Sequence, residues 1–284
     1  LVVRGEDLGP LWRAIGVTGQ ADQPPLWEAC ESLGVGAIKI TRGCPFRCTY
    51  CSVPLLAEGF SVRPLEGAMA ELDLLAARGA RDVAFYDDAL LHQSGWALLP
   101  LLEAVAARPW RVNFHTPNAL HARLLSGPLA GRMVAGGFRT FYLGLESRRD
   151  DWQQRTGGKL AAGDLEGALE HLAAAGAGPD AVAAYVLLGH PDHDAQDVAG
   201  TIAAARALGV RVMLSEFSPI PGTSDFAAAG AWTSAGEPLS HNKTAFSIRR
   251  LGFDRYNALK KLARGQGEGR GRGKPPASQG DAVR

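Results

Sequence analysis

The chain has 284 residues, 46% of them hydrophobic and 21% charged, with a formal net charge of +1. That length accommodates one large α/β unit or two ordinary domains, and the near-neutral balance argues against nucleic acid or a membrane surface as the partner. Four cysteines are too few for a secreted disulfide scaffold, no apolar run approaches the roughly 18 residues of a membrane span, and the first residues lack the sections of a signal peptide, so a reducing cytoplasm is the expected compartment.

Residues 1–36 read as an N-terminal arm or linker. Since the chain starts at Leu1 and not Met, the expectation is that this arm is the remnant of a preceding domain in a longer protein. Short apolar runs then alternate with amphipathic stretches. The runs Ala37–Thr41, Asp82–Tyr86, Arg111–His115, Thr140–Leu145, Ala181–Leu188 and Arg211–Phe217 have the length, β-branched and aromatic content and Gly/Pro boundaries of strands. Between the first two, Leu65–Ala77 places Leu65, Met69, Leu72 and Leu75 on one helical face, with Gly79 as its stop. Segments 96–107 and 119–135 are helical but interrupted by Pro100 and by Gly127-Pro128, and Pro128 is expected to split the second. Asp164 and Asp194 are placed to cap two further helices, which Gly176 and Gly209 end.

Six such units predict parallel strands with right-handed crossovers, and six are too few for a closed eight-unit barrel. The expected fold is therefore α/β: a partial (βα)6 TIM-like barrel over residues 37–223, with an α-rich C-terminal extension over 224–263. A doubly wound sheet shares the same periodicity. Gly252 is the expected break in the extension, and the Gly/Arg-rich stretch 264–284 is expected to be a disordered, solvated tail.

The informative segment is Thr41-Arg42-Gly43-Cys44-Pro45-Phe46-Arg47-Cys48-Thr49-Tyr50-Cys51-Ser52, just after the first strand, at the end where an α/β barrel places its site. Thiolates this close can converge on one soft metal centre. Three of them satisfy three irons of a 4Fe-4S cluster and leave one iron open, which suits catalysis better than simple electron transfer. A zinc site needs a fourth ligand, and the nearest downstream histidine is His92. Inert thiols are the remaining alternative. Cys30, fourteen residues upstream, reads as a small buried residue.

Cys44, Cys48, Tyr50 and Cys51 match the signature of the radical S-adenosylmethionine (radical SAM) superfamily, and the chain resembles that family over roughly residues 37–222. The resemblance implies a 4Fe-4S cluster held by Cys44, Cys48 and Cys51, with S-adenosyl-L-methionine chelating the open iron. Reductive cleavage would yield a 5′-deoxyadenosyl radical that abstracts a hydrogen atom from an unidentified substrate. An electron donor such as flavodoxin or ferredoxin is implied as partner. Tyr50 is the aromatic of the signature. Asp87 and Asp88 replace the family's frequent Gly-Gly-Glu at the second strand end, where the cofactor's amine is held. Glu146, in Gly144-Leu145-Glu146-Ser147, emerges where its ribose or ammonium would sit. Helix capping or a salt bridge is the plainer role for each of these carboxylates.

Three histidines follow strands. His115 reads as a hydrogen-bonded structural residue, while His190 and His193, in Gly189-His190-Pro191-Asp192-His193-Asp194, read as part of a solvated loop. The family branches stay open. Methylthiotransferases need a second, N-terminal cluster, and here only Cys30 lies upstream. In the cobalamin branch, Leu1–Glu6 resembles the end of a preceding cobalamin-binding domain, so cobalamin is a cofactor only if that domain exists. A non-catalytic zinc or iron–sulfur module is the reading from outside the enzyme class.

Overall fold

The computed structural model describes residues 9–14, 25–230 and 237–265. The expectations for Leu1–Glu6 and for the tail beyond Gly265 concern residues outside these. In chain order the strands are β1 Val35–Ile38, β2 Thr41–Gly43, β3 Phe60–Val62, β4 Asp82–Phe85, β5 Asn113–Leu120, β6 Phe138–Glu146, β7 Val182–Leu188 and β8 Arg211–Glu216. The helices are α1 Gly9–Ala14, α2 Val53–Leu56, α3 Leu65–Ala77, α4 Leu98–Ala106, α5 Gly127–Ala135, α6 Asp150–Arg155, α7 Asp164–Ala174, α8 Ala195–Ala207, α9 Ser224–Ala228, α10 Lys243–Leu251 and α11 Phe253–Ala263.

Six strands form one sheet in the order β1-β4-β5-β6-β7-β8, every neighbouring pair parallel. Each new strand adds to the same edge. A doubly wound sheet reverses direction partway, so the sequential order decides for an open, partial barrel. All carboxyl ends consequently face one way, and the loops leaving them share one rim.

The helices follow their apolar periodicity. In α3, Ala68, Met69, Leu72 and Leu75 are buried at i, i+3, i+4 spacing. Pro100 and Pro128 fall in the first turns of α4 and α5, where a missing N–H costs nothing; a 3₁₀ turn at Ala122–Leu124 precedes α5, and Ala119 and Leu120, expected to be helical, end β5 instead. Asp194 caps α8 through a reciprocal box, accepting from Gln196 and Asp197 N–H at 2.8 Å each. Asp164 does not cap α7: it is the helix's first residue, Gly163 precedes it with φ +85°, and its carboxylate accepts from Ala161 N–H instead. Phe85, Phe114 and Phe138, from three adjacent strands, meet at ring-centroid distances of 5.2–5.4 Å in the core.

The expected first strand, Ala37–Thr41, is two elements. The chain bends at Lys39-Ile40, and β2 leaves the sheet to pair antiparallel with β3. Upstream, Trp27 donates its indole N–H to the buried Glu71 of α3 at 2.8 Å, which docks this part of the arm on the barrel's flank. Cys30 packs on the same core, away from the other cysteines. The C-terminal extension is helical, broken at Gly252 (φ +80°) as expected, and it covers the rim beyond β7 and β8.

Candidate metal and cofactor site

Cys44 directly follows β2, at the start of the connection to β3, and the close pairing of these two strands requires glycine: Gly43 has φ +74°, and a Cβ there would strike the Gly59 carbonyl. The loop then turns back, with Cys51 N–H donating to Cys48 O at 3.0 Å and Thr49 N–H to Thr156 O at 3.2 Å. Cys44, Cys48 and Cys51 are half-buried free thiols lining a single cavity of about 100 Å³. Among the described residues, no three His, Cys, Asp or Glu side chains gather into a ready site for one ion. What the three cysteines share is one cavity wall, which suits a group larger than a single ion held by several thiolates. Burial pushes all three thiols above the ordinary cysteine range; the neighbouring sulfurs add to this at Cys44 and Cys51, and Glu146 does so at Cys48. Thiolate ligation would therefore release protons as the metal binds.

Asp87 and Asp88 follow β4 and diverge. Asp87 is buried, and its Oδ1 accepts from Ile40 N–H (2.9 Å), Thr41 N–H (2.5 Å) and Thr41 Oγ1 (2.7 Å). It holds the bend between β1 and β2 and is not in the cavity wall. Burial raises its carboxyl to about 6 despite these donors. Asp88 lines the cavity and pairs with Lys39 at 2.7 Å.

Glu146 ends β6 in a left-handed conformation, φ +61°, beside a register shift between Gly144 and Glu146. A non-glycine residue held there stores backbone strain, a feature concentrated at functional sites. Its buried carboxylate pairs at 2.9 Å with Lys159, which sits in the loop between α6 and α7 and itself lines the cysteine cavity. Burial alone would lower the Lys159 ammonium; Glu146 and the sulfurs of Cys48 and Cys51 reverse that and hold it above the ordinary lysine value. Gly144 is required because a Cβ would collide with this ammonium. Gly157, φ +120°, lets the same loop approach the Cys48 backbone, where an added Cβ would lie 3.1 Å from Cys48 Cα.

Tyr50 lines the cavity and stacks on the buried Trp152 at 5.5 Å and 17°. Burial, then the Glu146 charge, raises its phenol well above the ordinary value, so it stays a neutral donor. Behind it runs a buried polar chain. Trp152 Nε1–H and Asp192 N–H both donate to His190 Nδ1, at 3.3 and 3.2 Å, so the His190 proton sits on Nε2 and is donated to Asp225 at 2.9 Å. Asp225 also accepts from Thr49 Oγ1 at 2.7 Å, tying α9 to the cysteine loop.

The expected solvated loop around His190 and His193 is thus corrected. Both rings are buried, because α6 supplies Trp152 beneath them and Arg250 of α10 binds the His190 carbonyl. His115 is structural as expected, bonded to Thr140 and Asp82 at 3.0 Å each near the opposite end of the strands. His121, immediately after β5, was not singled out by the sequence. It is buried in the cavity wall against Phe46 at 4.4 Å, and neither ring nitrogen has a partner. Burial, then Lys159 and Arg123, lower it to about 4, so the ring is neutral at pH 7. Lys159, Trp152 and Asp225 also escaped sequence reasoning. The Gly157-Gly158 pair was the one local sign that this loop makes a close approach.

The sequence matches the family model of the radical SAM superfamily over residues 38–221. A ribosomal protein uS12 methylthiotransferase, RimO, from Moorella thermoacetica is 46% identical over 46 residues, 16% of this chain and 11% of that protein. Among solved structures, the radical S-adenosylmethionine methyltransferase TsrM from Kitasatospora setae, with cobalamin and a [4Fe-4S] cluster bound, superposes with a TM-score of 0.59 and 22% identity. The match covers 72% of this chain and 41% of that one. Methylornithine synthase (PylB) gives a TM-score of 0.56 at 12% identity, over 83% of this chain and 64% of that one. The chain spans a small part of the RimO relatives and under half of TsrM.

Proposed function

The chain belongs to the radical SAM superfamily, and from that premise we propose that it is the catalytic core of an enzyme that cleaves S-adenosylmethionine reductively at the rim of the partial barrel. The observation that carries the proposal is the placement of three thiols around one cavity, at the carboxyl ends of parallel strands, within the matched region. In this reading Cys44, Cys48 and Cys51 hold three irons of a 4Fe-4S cluster. When bound, the cluster supplies the electron for cofactor cleavage and an open iron for the cofactor's amino and carboxylate groups.

The protein's own residues bind, orient and exclude water. Asp88 presents a carboxylate to the cofactor's ammonium. Lys159 presents its ammonium from the cavity wall, and Glu146, which is outside that wall, holds it in place, so the charge need not reorganise when a ligand arrives. Tyr50, braced by Trp152, shields one side. Asp87 acts at one remove, holding the bend that launches the cysteine loop.

A reducing cytoplasm and a small electron-transfer protein such as flavodoxin or ferredoxin complete the proposal. The Kitasatospora protein supports a second reading, cobalamin-assisted methyl transfer; an upstream cobalamin-binding domain in the full gene product would decide for it. The RimO likeness keeps methylthiolation as the rival, decided by further cysteines upstream. Anaerobic reconstitution with iron and sulfide tests the core claim. Four irons per chain and dithionite-dependent 5′-deoxyadenosine are expected, with both lost in Cys48→Ala. Tightly bound zinc without cleavage would sink it.

A further inference from the structure

His121 stands apart from the other buried polar groups. His193 also lacks ring partners, but its ring packs against Trp152 and His190 and is not in the wall of the cysteine cavity. Asp87, with one oxygen unpartnered, lies outside that wall too. His121 is 8% exposed, belongs to the wall of the cysteine cavity, and has both ring nitrogens buried without a partner. Folded proteins pair nearly all buried donors, and an exception beside a ligand cavity points to the occupant as the partner. No carboxylate or carbonyl of the described structure competes for the ring's N–H. The ring packs at a 40° tilt against Phe46, two residues after Cys44. The Asp88 carboxylate in the same wall is already paired with Lys39, so what the cavity offers an N–H donor is the sulfur of the three cysteines and, in the reading above on which this inference rests, the sulfides of the cluster.

We propose that His121 donates a hydrogen bond to a sulfur of the cysteine-held cluster and thereby sets its reduction potential. Reduction adds negative charge to the cluster, and an N–H aimed at sulfur stabilises the more negative state, raising the potential. His121 is in this role a positioning and tuning residue; it moves no proton and ligates no iron. Its place just after β5 brings it into the same cavity wall as the cysteines.

The test uses the anaerobically reconstituted chain without S-adenosylmethionine. Iron and sulfide are counted, and the midpoint potential is read by EPR-monitored titration with a low-potential reductant. His121→Phe keeps a flat ring against Phe46 and removes the donor; His121→Gln keeps a donor. The expected result is four irons in both, a potential shifted to more negative values in H121F, and a potential near that of the unsubstituted chain in H121Q. Loss of the cluster in H121F with retention and an unshifted potential in H121Q also supports the proposal. An unshifted potential in H121F overturns it. Loss of iron in both variants assigns the ring to packing alone. If the unsubstituted chain holds no cluster, the functional reading fails first and this inference with it.

Discussion

Replacing Lys159 by methionine strips Glu146 of its counter-ion while keeping a long apolar stem. The pair is 2.9 Å apart, with the side chains 15% and 7% exposed. At an effective dielectric of about 20 such charges attract by about 6 kcal/mol, much of which offsets the cost of dehydrating them. Removing one partner leaves a buried carboxylate, which typically costs about 3–5 kcal/mol. Urea unfolding of the cluster-free chain should therefore show Lys159→Met less stable by about 3 kcal/mol at pH 7. Lys159→Met/Glu146→Gln removes the stranded charge and should recover most of that deficit. A deficit below about 1 kcal/mol, or one that the double substitution leaves in place, would refute the buried-pair reasoning.

Two further perturbations address how the cysteine loop is held. Asp87 is raised to about 6 by burial, so the folded chain keeps a proton that the unfolded chain has released between about pH 4 and 6. Stability from this group is present at low pH and falls as pH rises through that window; Asp87→Asn should thus gain on the unsubstituted chain by about 3 kcal/mol from pH 4 to 7, and urea midpoints showing a pH-independent difference would contradict the assignment. Gly157→Ala should cost about 1–3 kcal/mol and lower iron incorporation, since φ +120° and the Cys48 backbone both exclude a Cβ. Gly158→Ala, at φ +63° with open space around it, should cost less and leave iron content intact; equal effects would remove the close approach as the cause.

Elements governed by local periodicity were legible in the sequence. The α3 helix, the six barrel strands and the Gly252 break all follow from side-chain spacing and backbone preference. The β2–β3 ribbon was not, because its strands are three residues long and the bend before them is imposed by Asp87, forty-six residues from Thr41. The cysteines were legible because metal ligation constrains spacing along the chain. Lys159 and His121 carry no such spacing. They reach the cavity through the α6–α7 loop and the end of β5, and only tertiary structure puts them there. The histidines after β7 misled for a related reason: a loop rich in aspartate reads as solvated, and the covering residues come from α6 and α10. Asp87 and Asp88, adjacent in sequence and alike in chemistry, were separated only by the direction each side chain takes.

The bond between Thr49 and Asp225 joins residues 176 positions apart. During synthesis at about 5–20 residues per second, roughly 10 to 35 s pass between the emergence of the cysteine loop and the arrival of its anchor. Through that interval the three thiols are made but not yet arranged, open to stray metal or oxidant. The loop's final shape waits for a segment made long after it, so delivery of iron and sulfide belongs after Asp225 has emerged and docked.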